Sequence, residues 1–368
     1  MTLHDRYGLS HIVNAAGSFT PLSVSRSSAG VGQAAGEALT QFFVIDQLQD
    51  VLSAAVSRFT SADAAVAVHC VAAGITLSIA AVMAGSDPVR IAALPNTNGM
   101  RNRVVIPAGH AVNYGHPIEQ DIRLAGATPI LAGSAERCSS HDIATALADP
   151  DTACLLLVSS RLVRGQVIDL QQTVAEAHRR GVPAIIDGAA QDMRIGDLLA
   201  TGADLVLVSA HKYLASPTAG LVLGRRDLVD AVRAQQKGIG RAMKPSKEAL
   251  IGVLAAIEER QRLDLAEWRE VENRKVSTFV ARAGKIKGIA ARSEADPAGM
   301  PFSRACLGID RERARLDANA VVNALKSGSP SIWVMEHRLA DAELVLELVQ
   351  VSESELEIIL LRLSDLLD

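Results

Sequence analysis

No charge of one sign dominates this sequence. Its 37 Lys and Arg face 41 Asp and Glu, for a net charge of -4 and a pI near 6.2, which leaves no electrostatic footprint for nucleic acid beyond a local basic patch. Cysteine is scarce and scattered: Cys70, Cys138, Cys154 and Cys306 form no CxxC, and Cys154 lies inside the apolar run "ACLLLVS". That pattern argues against both a metal site and a disulfide framework, and it fits a reducing cytoplasm. The opening "MTLHDRYGLS" lacks the basic start and apolar stretch of a secretory signal. Asp, Glu, Lys and Arg are missing from residues 64 to 85, "AAVAVHCVAAGITLSIAAVMAG", a length that could span a bilayer. Alanine dominates that stretch, however, and His69, Cys70 and Gly74 interrupt it, so it reads as a buried strand, a turn and a buried helix. Repeats and low-complexity segments are absent too.

What is present is ample material for a core: 368 residues, 49% of them hydrophobic. From residue 64 to 224, short runs rich in Val, Ile and Leu alternate with stretches of helical spacing. The runs are "AAVAVH", "RVVIP", "TPILA", "CLLLVS", "PAIID", "DLVLVS" and "GLVLG". Apolar character on both faces, with helical crossovers between, predicts an α/β fold with a mostly parallel seven-stranded sheet flanked by helices. Residues 1–50 are turn-rich and are expected to form an arm, residues 51–245 the large domain, and residues 246–368 a connecting helix and a small C-terminal α/β domain. The closing helix "SESELEIILLRLSDLL" begins like a capping box.

The stretch "SAHKYLASPTAG" follows directly on "DLVLV". Lys212 is therefore either a solvated cation at a strand end or an amine held for chemistry. Two runs end in polar residues, "PAIID" at Asp187 and "DLVLVS" at Ser209, and ligands of open parallel sheets bind outside the carboxyl ends of the strands. Asp187, Ser209, His211 and Lys212 then share one rim. The run "AVAVHCVAAG" ends there as well, and Ala72, Ala73 and Gly74 open a helix whose first amides and dipole could receive a phosphate. An amine for a Schiff base, a carboxylate for a pyridine nitrogen and a phosphate cradle are what pyridoxal 5'-phosphate requires. Taken singly each feature also has a plain structural reading, as a cap or a close-packed turn. Their order is more specific, with Asp187 25 residues and Ser209 three residues before Lys212.

In these motifs the chain resembles the fold-type I pyridoxal-phosphate enzymes, and within them the selenocysteine-synthase-like group that includes D-glucosaminate-6-phosphate ammonia-lyases. The resemblance runs through "VNAAGSFTPLSVS", "VAAGITLSIAAVMAG", "MRNRVVIPAGHAVNYGHPIEQDIRLAGATPI", "GVPAIIDGAAQDM", "VSAHKYLASPTAGLVLG" and "GRAMKPSKEALIGVLAAIEE". It implies that Lys212 bonds the cofactor, that Asp187 partners the pyridine nitrogen, and that Ala73, Gly74 and Ser209 contact the phosphate. It further implies that His110, in preference to His116, stacks on the ring and that Gln191 touches the ring hydroxyl. Asn14 and Ser18 either line the substrate pocket or merely build turns. Arg241 and Lys244 either meet an anionic substrate or phosphate or begin a solvated helix. Where relatives carry a substrate-binding arginine in the C-terminal domain this chain has Met335, with Arg338 as the available substitute.

The function expected is a lyase acting on a small amino acid through a carbanion at Cα, with Lys212 as base and β-elimination as the outcome. Transamination and racemisation share that carbanion and remain open, as does selenium or sulfur transfer on an aminoacyl-tRNA. The turn-rich arm and the family likeness together predict a homodimer or a higher even homo-oligomer.

Overall fold

A computed structural model describes residues 1–367 of the chain. Two compact units divide it: Ser27–Arg262 form the larger, and Met1–Arg26 with Leu263–Asp368 form the smaller. The boundaries drawn from sequence at 50 and 245 both fall inside the larger unit. The reason is packing. Helices Ala29–Leu39, Ile45–Thr60 and Lys247–Gln261 bury Val31, Leu48, Leu52, Val56, Leu250, Val253 and Ile257 in a single cluster against the sheet. Only at Asp264, whose side chain accepts from the Ala266 and Glu267 amides, does a new helix, Leu265–Ala283, open the smaller unit.

Strand β1 (Ile12–Ala15) belongs to the smaller unit. The larger unit holds β2 (Ala64–Val68), β3 (Arg103–Pro107), β4 (Thr128–Ala132), β5 (Thr152–Val158), β6 (Ala184–Asp187), β7 (Leu205–Ser209) and β8 (Gly220–Gly224). These are the seven runs seen in the sequence. They form one sheet in the order β2-β8-β7-β6-β5-β3-β4, parallel except that β8 runs against both its neighbours. Alternate residues feed opposite cores: Leu155, Leu157, Ile186, Val206 and Val208 face one, and Leu156, Ile185, Leu205, Leu207 and Val222 the other. Full burial of each such side chain contributes about 1.5–3 kcal/mol, which accounts for strands that are apolar throughout rather than alternating.

The uncharged stretch resolves into β2 and the helix Val71–Ala84, in which every residue but Ala72 and Val82 is buried. Its apolar surface faces protein. Among the described residues no helix is long and apolar enough to cross a membrane. A Cβ at Gly74 would lie 3.1 to 3.4 Å from Leu207, Val222 and Val68 side chains, so glycine lets the helix sit close on the sheet.

The smaller unit has β9 (Ile289–Ala295), β10 (Ser303–Ile309) and β12 (Glu343–Leu346) as an antiparallel sheet, and β11 (Ser331–Val334) parallel to β1. Its final helix, Glu353–Leu367, opens with the reciprocal bonds expected from sequence: the Glu355 amide donates to Ser352 Oγ and the Ser352 amide to Glu355 Oε2.

Candidate active site

The carboxyl ends of β2, β5, β6 and β7 meet at one rim of the larger unit. Register fixes the neighbours: Asp187 pairs with Val158 on one side and Leu207 on the other, while Gly220 pairs with both Ser209 and Val68. Gly220 has no room for a side chain. A Cβ there would sit 2.6 to 2.8 Å from the backbone of Cys70 and Val71, so this close approach seats the start of helix Val71–Ala84 against β8. No side chain caps that helix start, and no acid lies in its first turn. Its first-turn amides, Val71, Ala72 and Ala73, have no intrahelical acceptor. The Gly74 amide is already bonded to the Cys70 carbonyl, so Gly74 serves by its missing side chain rather than by its N–H.

Lys212 is half-buried in the turn after β7, its amide directed at the Ser209 carbonyl. Asp187 is buried, and its Oδ1 accepts the Ala189 amide at 2.9 Å. Burial pushes its carboxyl up to about 6, with the Ala189 N–H and the Lys212 amine opposing the shift. Relative to an ordinary aspartate that is a cost of roughly 3 kcal/mol on the charged form. A buried carboxylate of this kind is stabilised by a cation or an N–H placed against it. His211 lies beside Ser209, its Nδ1 3.2 Å from Ser209 Oγ and 3.0 Å from the Ala219 carbonyl, and burial lowers its basicity.

His110 ends the short turn Ala108–His110 that follows β3, and its Nδ1 accepts the Val158 amide at 2.9 Å. A backbone N–H can only donate, so this ring is neutral with its proton on Nε2; burial accordingly takes its pKa down to about 4. His116 instead faces Asp121 at 2.9 Å in a network that Tyr114 completes by donating to the other Asp121 oxygen. Thr76 ties Asp121 to helix Val71–Ala84, and Tyr114 feels the charge of Asp187. Gln191 is fully buried; its Oε1 accepts from Arg194, while its Nε2 has no partner among the described residues.

Sequence reasoning did not reach Tyr114, Asp121, Asp192 and Arg260. Asp121 stands in the quoted "GHPIEQD" and Asp192 directly after Gln191, so a search for acids within those motifs would have found both. Asp192 is buried against Arg260, whose side chain is buried too. Burial raises the Asp192 carboxyl to about 6, opposed first by Arg260 and then by surrounding groups that include Lys212.

Other expected residues are placed differently. Arg241 is exposed in the segment Ile239–Met243, whose Met243 carbonyl accepts the His69 amide near the start of helix Val71–Ala84. In the smaller unit, Asn14 spends both side-chain groups on its own turn, donating to the Gly17 carbonyl and accepting the Ala16 amide; Ser18 is half-buried nearby in that loop. Arg338 donates to Glu294 at 2.7 Å and approaches Glu343 at 3.4 Å, so two carboxylates already meet its charge. Met335 is buried beside Ala16, Cys306 and Val345.

A lysine amine beside a buried acid, an uncapped helix start and an unpaired amide donor on one rim suit a ligand carrying both a phosphate and a basic ring nitrogen. The aminotransferase class-V family profile matches residues 131–251, which span β5 through β8. D-glucosaminate-6-phosphate ammonia lyase of Salmonella typhimurium is 30% identical over 99% of this chain and 97% of its own. The solved structure of a D-glucosaminate-6-phosphate ammonia-lyase superposes with a TM-score of 0.89, covering 100% of this chain and 98% of that one at 30% identity. This chain is a fold-type I pyridoxal-phosphate enzyme. The family also includes chemistry of another kind: the 5'-C-glycyluridine monooxygenase-decarboxylase of a Streptomyces species is 32% identical over 99% of this chain and 92% of its own. The cofactor of this fold-type I enzyme is pyridoxal 5'-phosphate, and the donor set on the rim fits it.

Proposed function

We propose that the enzyme is a lyase that removes a β-substituent and then ammonia from a small amino acid, through proton loss at Cα. The observation that carries this reading is the charge interaction of Lys212 with two buried carboxylates, Asp187 and Asp192, at the sheet rim. It is joined by full-length similarity to an ammonia lyase. The first-turn amides of Val71, Ala72 and Ala73, with the Ser209 hydroxyl, would hold the phosphate oxygens. Asp187 would keep a proton on the ring nitrogen, and that proton would in turn offset the cost of burying the carboxylate. Gln191 Nε2, which has no partner among the described residues, would donate to the ring hydroxyl, and the neutral His110 would pack on the ring. When bound, the cofactor supplies an electron sink for the pair left at Cα. The Lys212 amine takes the Cα proton, the electron pair left at Cα forms the Cα–Cβ double bond as the substituent leaves Cβ with its own bonding pair and a proton returned by Lys212, and water then displaces ammonia to leave a 2-oxo acid.

The small-molecule substrate fits a rim lined by individual polar side chains. A cytoplasmic setting is supported by four cysteines that are all unpaired. Assembly as a homodimer or higher even oligomer is supported by the first helix, Leu3–Tyr7, which buries none of its residues and leaves Leu3, Tyr7 and Leu9 exposed.

The test is ammonia release from a panel of D- and L-amino acids bearing β-hydroxyl groups, with α-deuterated substrates slowing turnover. Absence of ammonia from the whole panel overturns the reading. A second reading, oxygen-dependent decarboxylation, is favoured by the similarity to the Streptomyces enzyme. Oxygen uptake with carbon dioxide release would select it, whereas ammonia release that persists without oxygen would select the lyase.

A further inference from the structure

Arg260 closes the helix Lys247–Gln261 far from the rim in sequence, yet it is buried there. Its Nη2 donates to the Tyr213 carbonyl at 2.6 Å and lies 3.5 Å from Asp192 Oδ2. Asp192 begins the short turn Asp192–Arg194, five residues beyond Asp187, and Tyr213 is the residue after Lys212. One guanidinium nitrogen thus joins three segments: the turn bearing the acid after β6, the turn bearing the amine after β7, and a helix outside the sheet. A buried carboxylate and a buried arginine are costly to retain without a use, because a pair of apolar side chains of the same volume would serve packing as well.

We propose that Asp192 and Arg260 form a positioning clamp for Lys212, Arg260 fixing the backbone that carries the amine and Asp192 setting a second negative charge against that amine when it holds a proton. The inference rests on the reading of Lys212 as the reactive amine. Lys212 is flanked by Asp187, Asp192 and His211; Asp192 is faced by Arg260, Lys212 and the Tyr213 amide. Arg194, two residues on, is spent on Asp197 and Gln191. With Asp187 engaged by the ring nitrogen, Asp192 is a second buried carboxylate that can balance a charge on Lys212.

The experiment compares the holoenzyme with its Asp192→Asn and Arg260→Lys variants. Its readout is the pH at which the visible band of the bound cofactor changes as the link to Lys212 gains or loses its proton. Removing the negative charge disfavours the protonated form, so Asp192→Asn moves that midpoint down by about one pH unit or more. Arg260→Lys keeps the charge and retains most of the wild-type midpoint, and thermal unfolding of the cofactor-free protein confirms that both variants fold. Borohydride fixation followed by peptide mapping separates the two claims. A cofactor fixed to another lysine overturns the reading of Lys212 itself. If it is fixed to Lys212 but the Asp192→Asn midpoint matches wild type, only the clamp is overturned.

Discussion

Each unit buries a knot of charge, and the two knots are built differently. In the smaller unit, Arg304 lies 2.5 Å from Asp296 and 3.1 Å from Glu347, all three buried; a Cβ at Gly17, whose φ is +71°, would strike the Glu347 carboxylate at 2.6 Å. There Arg304 bridges the two carboxylates directly, and the loop at Gly17 packs against Glu347. In the larger unit, Asp187 and Asp192 are both pushed up to about 6 by burial, and Asp187 has only one backbone amide and a neighbouring lysine to oppose it. Buried acids that share one arginine within direct ion-pair distance are architecture. A buried carboxylate such as Asp187, raised by burial at the rim of a parallel sheet and bonded by a backbone amide, is a place prepared for a ligand.

The sharpest way to break that contrast is Lys212→Ala. It should cost 10³-fold or more in turnover, on the order of what a lost base or nucleophile removes, while the cofactor-free protein unfolds near the wild-type temperature. In the other knot the expectation is reversed. Arg304→Ala strands two buried acids and should destabilise the fold by about 3–5 kcal/mol in urea titrations, with turnover per folded molecule unchanged.

Asp187→Asn separates the two ideas within one residue. Turnover should fall by about 10²-fold, yet the cofactor-free protein should gain on the order of 1–3 kcal/mol at pH 7 to 8, because a poorly compensated buried charge is gone. A loss of stability at that pH would mean that Asp187 is architecture after all.

The pH dependence follows with its sign. Burial raises Asp187 and Asp192 in the folded protein to about 6, from an ordinary value of 3.8. Their contribution to stability is therefore full below about 3.8 and lost as pH rises through about 6. His110 runs the other way, from 6.5 down to about 4, so its contribution is present above 6.5 and lost as pH falls through about 4. Removing His110 as His110→Gln should uncover a clear fall in stability of the cofactor-free protein between pH 4 and 6.5. The smallest effect expected is that of Ser209→Ala. Losing one hydroxyl should weaken cofactor binding by about 1 kcal/mol, several-fold in Kd, as read by fluorescence titration.

How far the sequence alone reached depended on the range of each cause. All seven strands of the large sheet were legible, since residues such as Ile185 and Ile186 on opposite faces of β6 must both be apolar. The strand-end motif around Lys212 was legible for the same reason, as local order along the chain carries it. Arg260 and Asp192 are 68 residues apart in sequence, and nothing local announces their pairing. Likewise the helix Lys247–Gln261 read as a connector between domains, because its slot against Val31 and Leu52 is set by long-range packing.

The pairing of Ser209 with Gly220 has a mechanical consequence. The segment that carries Lys212 leaves the sheet on β7 and rejoins it on the adjacent, reversed β8, so both of its feet stand on neighbouring strands. Such a short bridge gains little entropy by loosening and has little slack to give. Whatever path the ammonium group travels in a catalytic cycle must come from rotation about the four carbons of its own side chain, and the reach of the reaction is set by a single residue's tether.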